Sequence, residues 1–440
     1  MQLQNAPEQT ARWPIGLIAV AAIIPLIGVM QVSSAARETM PDLWYKQLLW
    51  VCGGFVLGAM VARVRSTTLE LLAYPLYVVT CTLLVLVLAI GTPIKGAQRW
   101  LDLGPMNMQP SELAKIAIIL VCAKYFSSYE QPGGYTLLQL LRPLNVTRPL
   151  LLVGAVLYRH FHLISKYAEA VDKETAVLPE LQPLWLTICG TGVGVLWLGL
   201  AVFASVRGSM SHRKIIAPID IVMAPFILVL IEPDLGTASI IMAIAATIIL
   251  FCGMRLMDLV VSAGCAASIA VLAWYFVLHD YQRKRVETFL NPEADIQGAG
   301  YHAAQSIIAV GSGEITGKGY GQGTQTQLSF LPENHTDFIF SVLGEEWGFV
   351  GGALLIVLFF ALIALMLRGA RKATDRFSAL IAVGAAAMIF WHAFINIGMV
   401  IGVLPVVGVT LPLMSYGGSS MITKVIAIGF AVNAQLGRKT

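Results

Sequence analysis

The sequence predicts an all-α polytopic integral membrane protein. Of its 440 residues, 57% are hydrophobic and only 12% are charged, whereas a soluble domain carries about 25% charged residues. Apolar runs that approach the roughly 20 residues of a spanning helix recur from one end of the chain to the other. The net charge of +4 does not indicate nucleic acid as a partner. We therefore expect a single membrane domain over residues 1–440.

The apolar runs predict a helical core and additional segments in the middle of the chain. The strong runs begin near Pro14, Tyr45, Leu71, Ser111, Leu184, Ile215, Gly236, Leu256, Phe338, Phe377 and Leu411. A weaker run covers residues 148–164. Counting both kinds, we expect twelve spans.

Charge in the short loops predicts the orientation, because cytoplasmic loops carry an excess of Lys and Arg. The basic loops "ARVRSTT" and "RGARKATDR" and the tail "LGRKT" share the cytoplasmic side only if the N-terminus is also cytoplasmic. The C-terminus is then cytoplasmic, and the loops at 91–110 and 279–337 lie on the outer face. The second loop precedes the eighth core span and far exceeds the usual connection length, which is typical of functional loops.

Residues 145–213 are predicted to be an insertion. Between Lys124 and Arg213 there is one strong span, which begins at Leu184. A single extra span would move "RGARKATDR" to the outer face, so the run 148–164 must pair with it. We expect a two-segment helical hairpin, and the alternative is an amphipathic segment at the membrane interface. Partner docking or regulation is the hypothesis for its role.

Three ionisable side chains stand directly before an apolar run in "LPENHTDFIF", namely Glu333, His335 and Asp337. Partial burial raises the pKa of a carboxylate toward the range of a general base, so Asp337 is the candidate base. His335 and Glu333 are placed to tune it or to bind a metal. The competing interpretation is that Thr336 or Asp337 caps the helix. No zinc-type Cys/His spacing occurs, whereas a divalent cation held by carboxylates and substrate phosphate stays open.

Two further motifs place ionisable groups within apolar runs. In "QPSELAK", Glu112 and Lys115 are three residues apart, so they share a helical face and pair. Ionisable groups inside a membrane mark candidate functional sites, and a purely structural ion pair is the alternative. Pro110 is expected to start that helix and Ser111 to cap it. The motif "IEPDLGTASI" predicts a short half-span, a turn and a new helix capped by Asp234.

Cations outside the spans are candidate contacts for an anion. Arg283, Lys284 and Arg285 follow a span on the predicted outer face, where the positive-inside rule disfavours them. Either the long loop tolerates them or they hold an anionic head group. Lys318 is a further candidate, in a Gly-rich segment that lacks the GxxxxGK(S/T) pattern of a nucleotide loop. The loop "GVLPVVGVTLPLMSYGGSS" is expected to line the same pocket, with Ser415 as its candidate contact.

Six motifs in order resemble the SEDS family (shape, elongation, division and sporulation). They are "GAQRW", "QPSELAK", "PDLGT", "GAGYHAAQS", "PENHTDFIF" and "LPLMSYGGSS", spread from residue 96 to residue 420. Each motif alone is modest, whereas six in this order are specific. The segments "LPVVGV" and "GYGQGTQTQLSFLPENHTD" are similar to the RodA branch, and the FtsW branch usually has "PTKG" at the former site. The family topology has ten spans, so the insertion supplies the extra two.

The resemblance implies a peptidoglycan glycosyltransferase that polymerises lipid II at the outer face of the bacterial cytoplasmic membrane during cell elongation and shape maintenance. It implies as partners a class B penicillin-binding protein, which is a transpeptidase, and other membrane proteins of the elongation complex. In this family the aspartate of "HTDFIF", here Asp337, is essential, and the tryptophan of "GAQRW", here Trp100, is also important. The family places the "SELAK" pair, here Glu112 and Lys115, in a central cavity.

The implied leaving group is a lipid pyrophosphate, which needs cations to neutralise its developing charge. The candidates are Arg99, the cations at 283–285 and Lys318, with His335 as a further polar contact. A divalent ion such as Mg²⁺ or Mn²⁺ is compatible with the sequence and not required by it. One departure from the family pattern is Glu232, because the family commonly has Gln before "PDLGT". An added carboxylate there is expected to alter the electrostatics of the cavity.

Two other classes of function are compatible with the same residues. A lipid II flippase is one, because transporters also show intramembrane ionisable groups and broken helices such as that at Pro233. Against it, no inverted repeat is visible, and the ionisable cluster lies near the outer face. A non-catalytic scaffold for a penicillin-binding protein is the other. Substitution of Asp337 separates these alternatives from an enzyme.

Overall fold

The structure is a computed structural model that describes residues 13–94, 97–102, 104, 107–131, 134–141, 218–276, 280–290, 299–327 and 333–437. Over these ranges the chain is mostly helical, with one small sheet. The predicted insertion at 145–213 lies entirely outside the described residues. Neither the helical hairpin nor the interfacial segment is therefore tested, and the insertion stays a prediction.

The helices follow the apolar runs of the sequence. In chain order the described helices are α1 (Ile15–Ala35), α2 (Leu43–Arg63), α3 (Ser66–Ile90), α4 (Pro110–Ser128), α5 (Leu137–Leu141), α6 (Pro218–Ile231), α7 (Leu235–Phe251), α8 (Leu256–Phe276), α9 (Asp280–Leu290), α10 (Ala299–Ser312), α11 (Thr324–Gln327), α12 (Ile339–Lys372), α13 (Arg376–Val400) and α14 (Gly418–Leu436).

Several of these helices are long and apolar enough to cross a membrane. Among the described residues, α1, α2, α3, α12, α13 and α14 meet both criteria, and α6, α7 and part of α8 are shorter apolar helices. The prediction of a polytopic helical membrane protein is confirmed. The last helix begins at Gly418 rather than near Leu411, because residues 401–417 form a loop that closes the site described below.

The start of α4 corrects one detail. Pro110 is the first helical residue, as predicted, because its fixed φ and missing N–H suit that position. The cap position therefore falls on Gln109, which makes no side-chain cap hydrogen bond. Ser111 lies inside the helix and is fully buried, so the prediction that it caps α4 is wrong.

A small antiparallel sheet joins α3 to α4, which the sequence patterns did not predict. Its strands are β1 (Thr92–Ile94), β2 (Ala97–Asp102) and β3 (Asn107–Met108), in the order β1-β2-β3. In the register, Thr92 pairs with Trp100 and Leu101 pairs with Met108. Strand β2 thus carries Arg99 and Trp100. The end of the helix bundle that holds this sheet is called the hairpin end below.

Helices α2 and α14 approach each other closely at glycines. A Cβ atom built on Gly429 would lie 2.6 Å from the carbonyl oxygen of Gly58, and one on Gly58 would lie 2.9 Å from that of Val425. Close approach through small residues is the usual way in which helices associate in a membrane, where burial of apolar surface gives no net driving force. This contact holds α14 and its buried polar side chains in the middle of the bundle.

Helix α12 contains a break at Gly348, where φ is 63° and ψ is −161°. Residues 313–319 dock against this break. Phe349 N donates to Glu314 O at 2.8 Å, and Lys318 N donates to Glu345 O at 3.0 Å, so groups freed by the break find partners in the loop. A Cβ at position 348 would lie 2.4 Å from Gly317 N. Only glycine fits both the backbone conformation and the space.

Candidate active site at the hairpin end

Asp337 lies in a turn just before α12, held by its backbone. Its N–H donates to Glu333 O at 3.2 Å, and its carbonyl oxygen accepts from Asn396 Nδ2 at 2.7 Å. The cap position of α12 is Phe338, without a side-chain cap hydrogen bond. The expectation that Thr336 or Asp337 caps this helix is therefore wrong, because the turn ends one residue later. Asp337 itself is half-buried.

The loop 401–417 lies beside the Asp337 carboxylate. A Cβ built on Gly408, where φ is 71°, would lie 3.4 Å from Asp337 Oδ2, so the loop backbone passes close to the candidate base. Asn396 Nδ2 also donates to Val409 O at 2.6 Å. One buried amide thus ties the Asp337 turn and this loop together, which fixes their separation.

Ser415 provides a second link between the same two segments. Its Oγ accepts from Leu411 N at 2.8 Å and donates to Thr336 O at 2.5 Å. The residue is buried, and its carbonyl oxygen accepts from Gln47 Nε2 at 3.0 Å. Ser415, a predicted substrate contact, is thus placed to position the turn that carries Asp337. A direct contact with substrate stays a prediction.

His335 lies in the same turn, two residues before Asp337. Its carbonyl oxygen accepts from Tyr416 N at 2.9 Å, and its ring centroid is 6.2 Å from that of Tyr416. The sequence-predicted residues Asp337, His335 and Ser415 are therefore brought to one place by the structure.

Arg99 and the turn between α6 and α7 form the next wall of the hairpin end. Arg99 Nε donates to Glu232 O at 3.0 Å, its guanidinium also donates to Pro233 O, and it lies 4.0 Å from Asp234 Oδ2. Asp234 Oδ1 accepts from Thr237 N at 3.1 Å and caps α7, as predicted. A Cβ on Gly236 would lie 2.7 Å from Val407 O, so this turn packs directly on the loop beside Asp337.

Glu232, the departure from the family pattern, is an unusual carboxyl group. It is 1% exposed, and among the described residues neither carboxyl oxygen has a hydrogen-bond partner. Burial, reinforced by the negative charge of Asp234 and only partly opposed by Arg99, raises the pKa of Glu232 to about 9. The group is therefore neutral near pH 7, because the charged form has lost its hydration.

A buried polar cluster lies inside the bundle. Lys115 Nζ is 2.7 Å from Glu112 Oε1, which confirms the predicted pair, and 3.0 Å from His392 Nε2. Glu112 Oε2 accepts from Thr423 Oγ1 at 2.8 Å and lies 3.7 Å from Lys424 Nζ. Sequence reasoning missed His392 and Lys424, although both stand as single ionisable residues within apolar runs. That is the signal that marked Glu112 and Lys115.

The remaining predicted cations lie elsewhere. Lys318 Nζ is 2.8 Å from Glu345 Oε1, and the Lys318 side chain is 28% exposed, so it holds the Gly-rich loop against α12.

Arg283, Lys284 and Arg285 lie on α9. Arg285 lines an apolar cavity of about 300 Å³ together with Gly402 and Leu404. Loop 401–417 thus borders this cavity at one end and Asp337 at the other, and phosphate binding by these cations stays a prediction.

The metal prediction is not tested. Within the described part of the chain, no group of three or more His, Cys, Asp or Glu side chains is arranged to hold a metal ion. Mg²⁺ and Mn²⁺ typically complete their coordination with water and substrate phosphate. A divalent ion at this site would therefore need oxygen atoms of the substrate as ligands.

Fold and site together define a multi-pass helical membrane protein with an ionisable site at one end of the bundle. The chain belongs to the FTSW_RODA_SPOVE family of cell cycle proteins, which it matches over residues 12–159 and 195–440. The prediction of a RodA-like member of the SEDS family is confirmed. The unmatched residues 160–194 fall inside the predicted insertion.

Named relatives cover most of the chain. The peptidoglycan glycosyltransferase MrdB of Escherichia coli (strain K12) is 36% identical over 387 residues, which are 88% of this chain and 84% of that protein. A probable peptidoglycan glycosyltransferase FtsW of Trichlorobacter lovleyi is 30% identical and covers 100% of this chain and 97% of its own. The predicted enzyme class therefore agrees with the names of these relatives.

Solved structures share the fold. A chain from a structure on the coordination of polymerization and crosslinking by a peptidoglycan synthase complex has a TM-score of 0.67 at 27% identity, covering 96% of this chain and 97% of that one. The rod shape determining protein RodA of Thermus thermophilus has a TM-score of 0.60 at 24% identity, covering 99% and 100%.

Proposed function

We propose that this protein is a peptidoglycan glycosyltransferase that polymerises lipid II, with Asp337 as its general base. The observation that carries this proposal is the placement of Asp337. It is a half-buried carboxylate whose backbone is tied by Glu333 and Asn396 beside the glycine-containing loop 401–417. Rigid positioning of a partly desolvated carboxylate is what proton abstraction from a sugar hydroxyl requires.

In the proposed reaction, the hydroxyl oxygen of one sugar attacks the anomeric carbon of another. The bond from that carbon to the lipid diphosphate breaks, and the diphosphate keeps the electron pair. Asp337 takes the proton of the attacking hydroxyl. The negative charge that grows on the diphosphate needs nearby cations. Arg99 supports the turn at 232–234 by donating hydrogen bonds to its carbonyl oxygens, and it supplies one positive charge at the hairpin end.

The membrane orientation follows from the basic loops. With "ARVRSTT" and "RGARKATDR" in the cytoplasm, both termini are cytoplasmic and the hairpin end faces outward. A polyprenyl tail then stays in the bilayer while its diphosphate reaches the hairpin end. The relative found in a peptidoglycan synthase complex supports a crosslinking partner, and we propose that this partner is a class B penicillin-binding protein.

The proposal is tested by the substitution Asp337→Asn in purified protein together with its transpeptidase partner. The amide keeps the size of the side chain and removes the base, so we expect lipid II polymerisation to fall by about 10²- to 10⁴-fold. Glycan strands are measured on gels after a fixed reaction time, and thermal unfolding confirms that the variant is folded.

Asp375→Asn is the matched control. Asp375 caps α13 at the opposite end of the bundle, where its Oδ1 accepts from Ser378 N at 2.7 Å, and Asn caps equally well. Equal product from wild type and Asp337→Asn would remove Asp337 from the mechanism. Transport of lipid II across vesicles by both proteins, without any polymer, would favour a flippase, a function with which the buried ionisable cluster is also compatible.

A further inference from the structure

Lys424 is a fully buried lysine on α14, 0% exposed. Its ammonium group contacts three oxygen atoms. It lies 3.7 Å from Glu112 Oε2, 3.4 Å from Thr410 Oγ1, and it donates to Ser420 Oγ one turn earlier on the same helix. Lys424 therefore connects the buried cluster around Glu112 with the loop 401–417 that borders Asp337.

The charges of this cluster do not balance. Among the described residues, Glu112 is the single carboxylate within 4 Å of both Lys115 and Lys424. His392 is neutral, because its Nδ1 donates to Met388 O at 2.8 Å and its Nε2 accepts from Lys115, whose ammonium has only donors. When both lysines are protonated, two ammonium groups against one carboxylate leave one excess positive charge. Such a charge is costly in a bilayer unless an anion accompanies it.

The excess charge lies toward the hairpin end. Lys115 Nζ lies 2.7 Å from Glu112 Oε1. Lys424 Nζ lies farther from the Glu112 carboxylate and contacts Thr410 and Ser420. These two hydroxyl groups are 3.0 Å apart and half-buried. They form a short polar connection between the buried ammonium and the open side of the loop.

The N-terminus of α14 lies at the same place. Gly417 occupies its cap position and has no side chain that could accept hydrogen bonds from the backbone N–H groups of the first turn. Helix N-termini attract anions through these N–H groups and the helix dipole. Ser419 Oγ donates to Asn107 O at 3.3 Å, which brings this turn to the sheet that carries Arg99.

We propose that the diphosphate group of a polyprenyl diphosphate binds at the N-terminus of α14. Lys424 is the buried cation that attracts it, and the hydroxyl groups of Thr410 and Ser420 connect the two. This inference rests on the proposed function for the identity of the lipid. Two lipids present the same chemistry: the lipid-linked sugar that is consumed and the free polyprenyl diphosphate that is released. In this site Lys424 neutralises the leaving group, and the arriving anion balances the cluster.

The experiment measures binding of two probes, lipid II and undecaprenyl diphosphate, to the full-length protein in detergent. For Lys424→Met we expect the Kd of undecaprenyl diphosphate to rise about tenfold or more, the effect of losing one buried positive charge near the diphosphate. If both lipids use the site, the Kd of lipid II rises equally. If only the product does, lipid II binds as in wild type and product inhibition weakens.

Lys124→Met is the matched control. Lys124 is a half-buried lysine on α4 that donates to Glu70 O at 2.8 Å and lies 5.0 Å from the ring centroid of Tyr74, away from the site. Its replacement is expected to leave both Kd values unchanged. The double variant Thr410→Val/Ser420→Ala retains Lys424 and is expected to weaken binding by a smaller factor. It also serves as the test protein if Lys424→Met does not fold.

A folded Lys424→Met variant that binds both lipids as wild type does would overturn the inference and leave Lys424 as a structural counter-charge of Glu112. Unchanged binding by Thr410→Val/Ser420→Ala would overturn the proposed role of these two hydroxyl groups in connecting Lys424 to the diphosphate. Because these are binding measurements, they separate this inference from the catalytic proposal. Loss of polymerisation with intact Lys424-dependent binding would contradict only the reaction assigned to Asp337.

Discussion

The two ionisable regions of this protein, the turn at Asp337 and the cluster around Glu112, are built in opposite ways. Asp337 is half-buried, and its main chain is held by Asn396 while its carboxylate lies beside Gly408. Glu112 is buried, and its carboxylate oxygens face Lys115, Lys424 and Thr423. The proposed general base thus has its backbone fixed, whereas the carboxylate buried inside the bundle has its charged atoms paired.

This contrast predicts that substitution of Glu112 acts on stability and that substitution of Asp337 acts on rate. The comparison fails if the two regions respond alike. Asp337→Asn is therefore expected to lower activity with an unchanged thermal midpoint, and the three variants below extend the comparison in order of decreasing effect.

Glu112→Gln is expected to have the largest effect on stability. The change leaves Lys115 and Lys424 buried without their shared carboxylate, and breaking a buried ion pair by removing one partner costs about 3–5 kcal/mol. Thermal unfolding in detergent measures this. The double variant Glu112→Gln/Lys115→Met removes one of the two unpaired charges and is expected to lose less than the sum of the single changes. Additive losses would show that these side chains do not interact.

Ser415→Ala is expected to have an intermediate effect. It leaves Leu411 N and Thr336 O without their side-chain partner, which costs about 1–3 kcal/mol for buried polar groups. Because the turn that carries Asp337 loosens, we also expect kcat to fall by roughly tenfold or more. Ser415→Thr keeps the hydroxyl and is expected to recover part of the rate.

The control for that variant is Ser262→Ala on α8, whose hydroxyl donates to Asp258 O at 2.7 Å and lies away from the site. A Ser415→Ala protein with wild-type kcat would contradict the positioning role. Lower stability at unchanged rate would restrict Ser415 to holding the loop.

Glu232→Gln is expected to have the smallest effect on activity at neutral pH, because the native carboxyl group is already neutral in the folded protein. Its pKa is about 9 in the folded protein, against about 4.3 for an exposed Glu. The folded state thus binds more protons than the unfolded state between these values. Stability falls as pH rises through this window.

Gln does not titrate, so Glu232→Gln is expected to remove that pH dependence. The thermal midpoints of wild type and variant are compared at pH 6 and pH 9. The midpoint of the wild type is expected to fall relative to that of the variant between these two pH values. A difference between the two midpoints that does not change with pH would indicate that Glu232 ionises normally in the folded state.

Much of the site was predictable from local patterns. The pair of Glu112 and Lys115 follows from their spacing of three residues on one helix. Asp234 as a helix cap follows from its position before "LGTAS". Each of these depends on neighbours in sequence, so no knowledge of long-range contacts was needed.

Other parts depended on contacts between distant segments. The capping expectations for Ser111, Thr336 and Asp337 were wrong because Pro110 and the turn at 333–338 set the helix starts. Lys318 pairs with Glu345, a residue on a different element. No local pattern reveals such a partner, since an exposed loop lysine and a paired one look the same in the sequence.

The sequence by itself determined the class of protein, because the bilayer requires long apolar helices and the motif order identifies the family. It also indicated Asp337 as a candidate, since "HTDFIF" resembles the family motif that carries an essential aspartate. Only the tertiary structure decided which charges meet inside the bundle. Lys424 and His392 come from helices far along the chain, and their joint effect on Glu112 depends on distances of a few ångströms that helix packing alone sets.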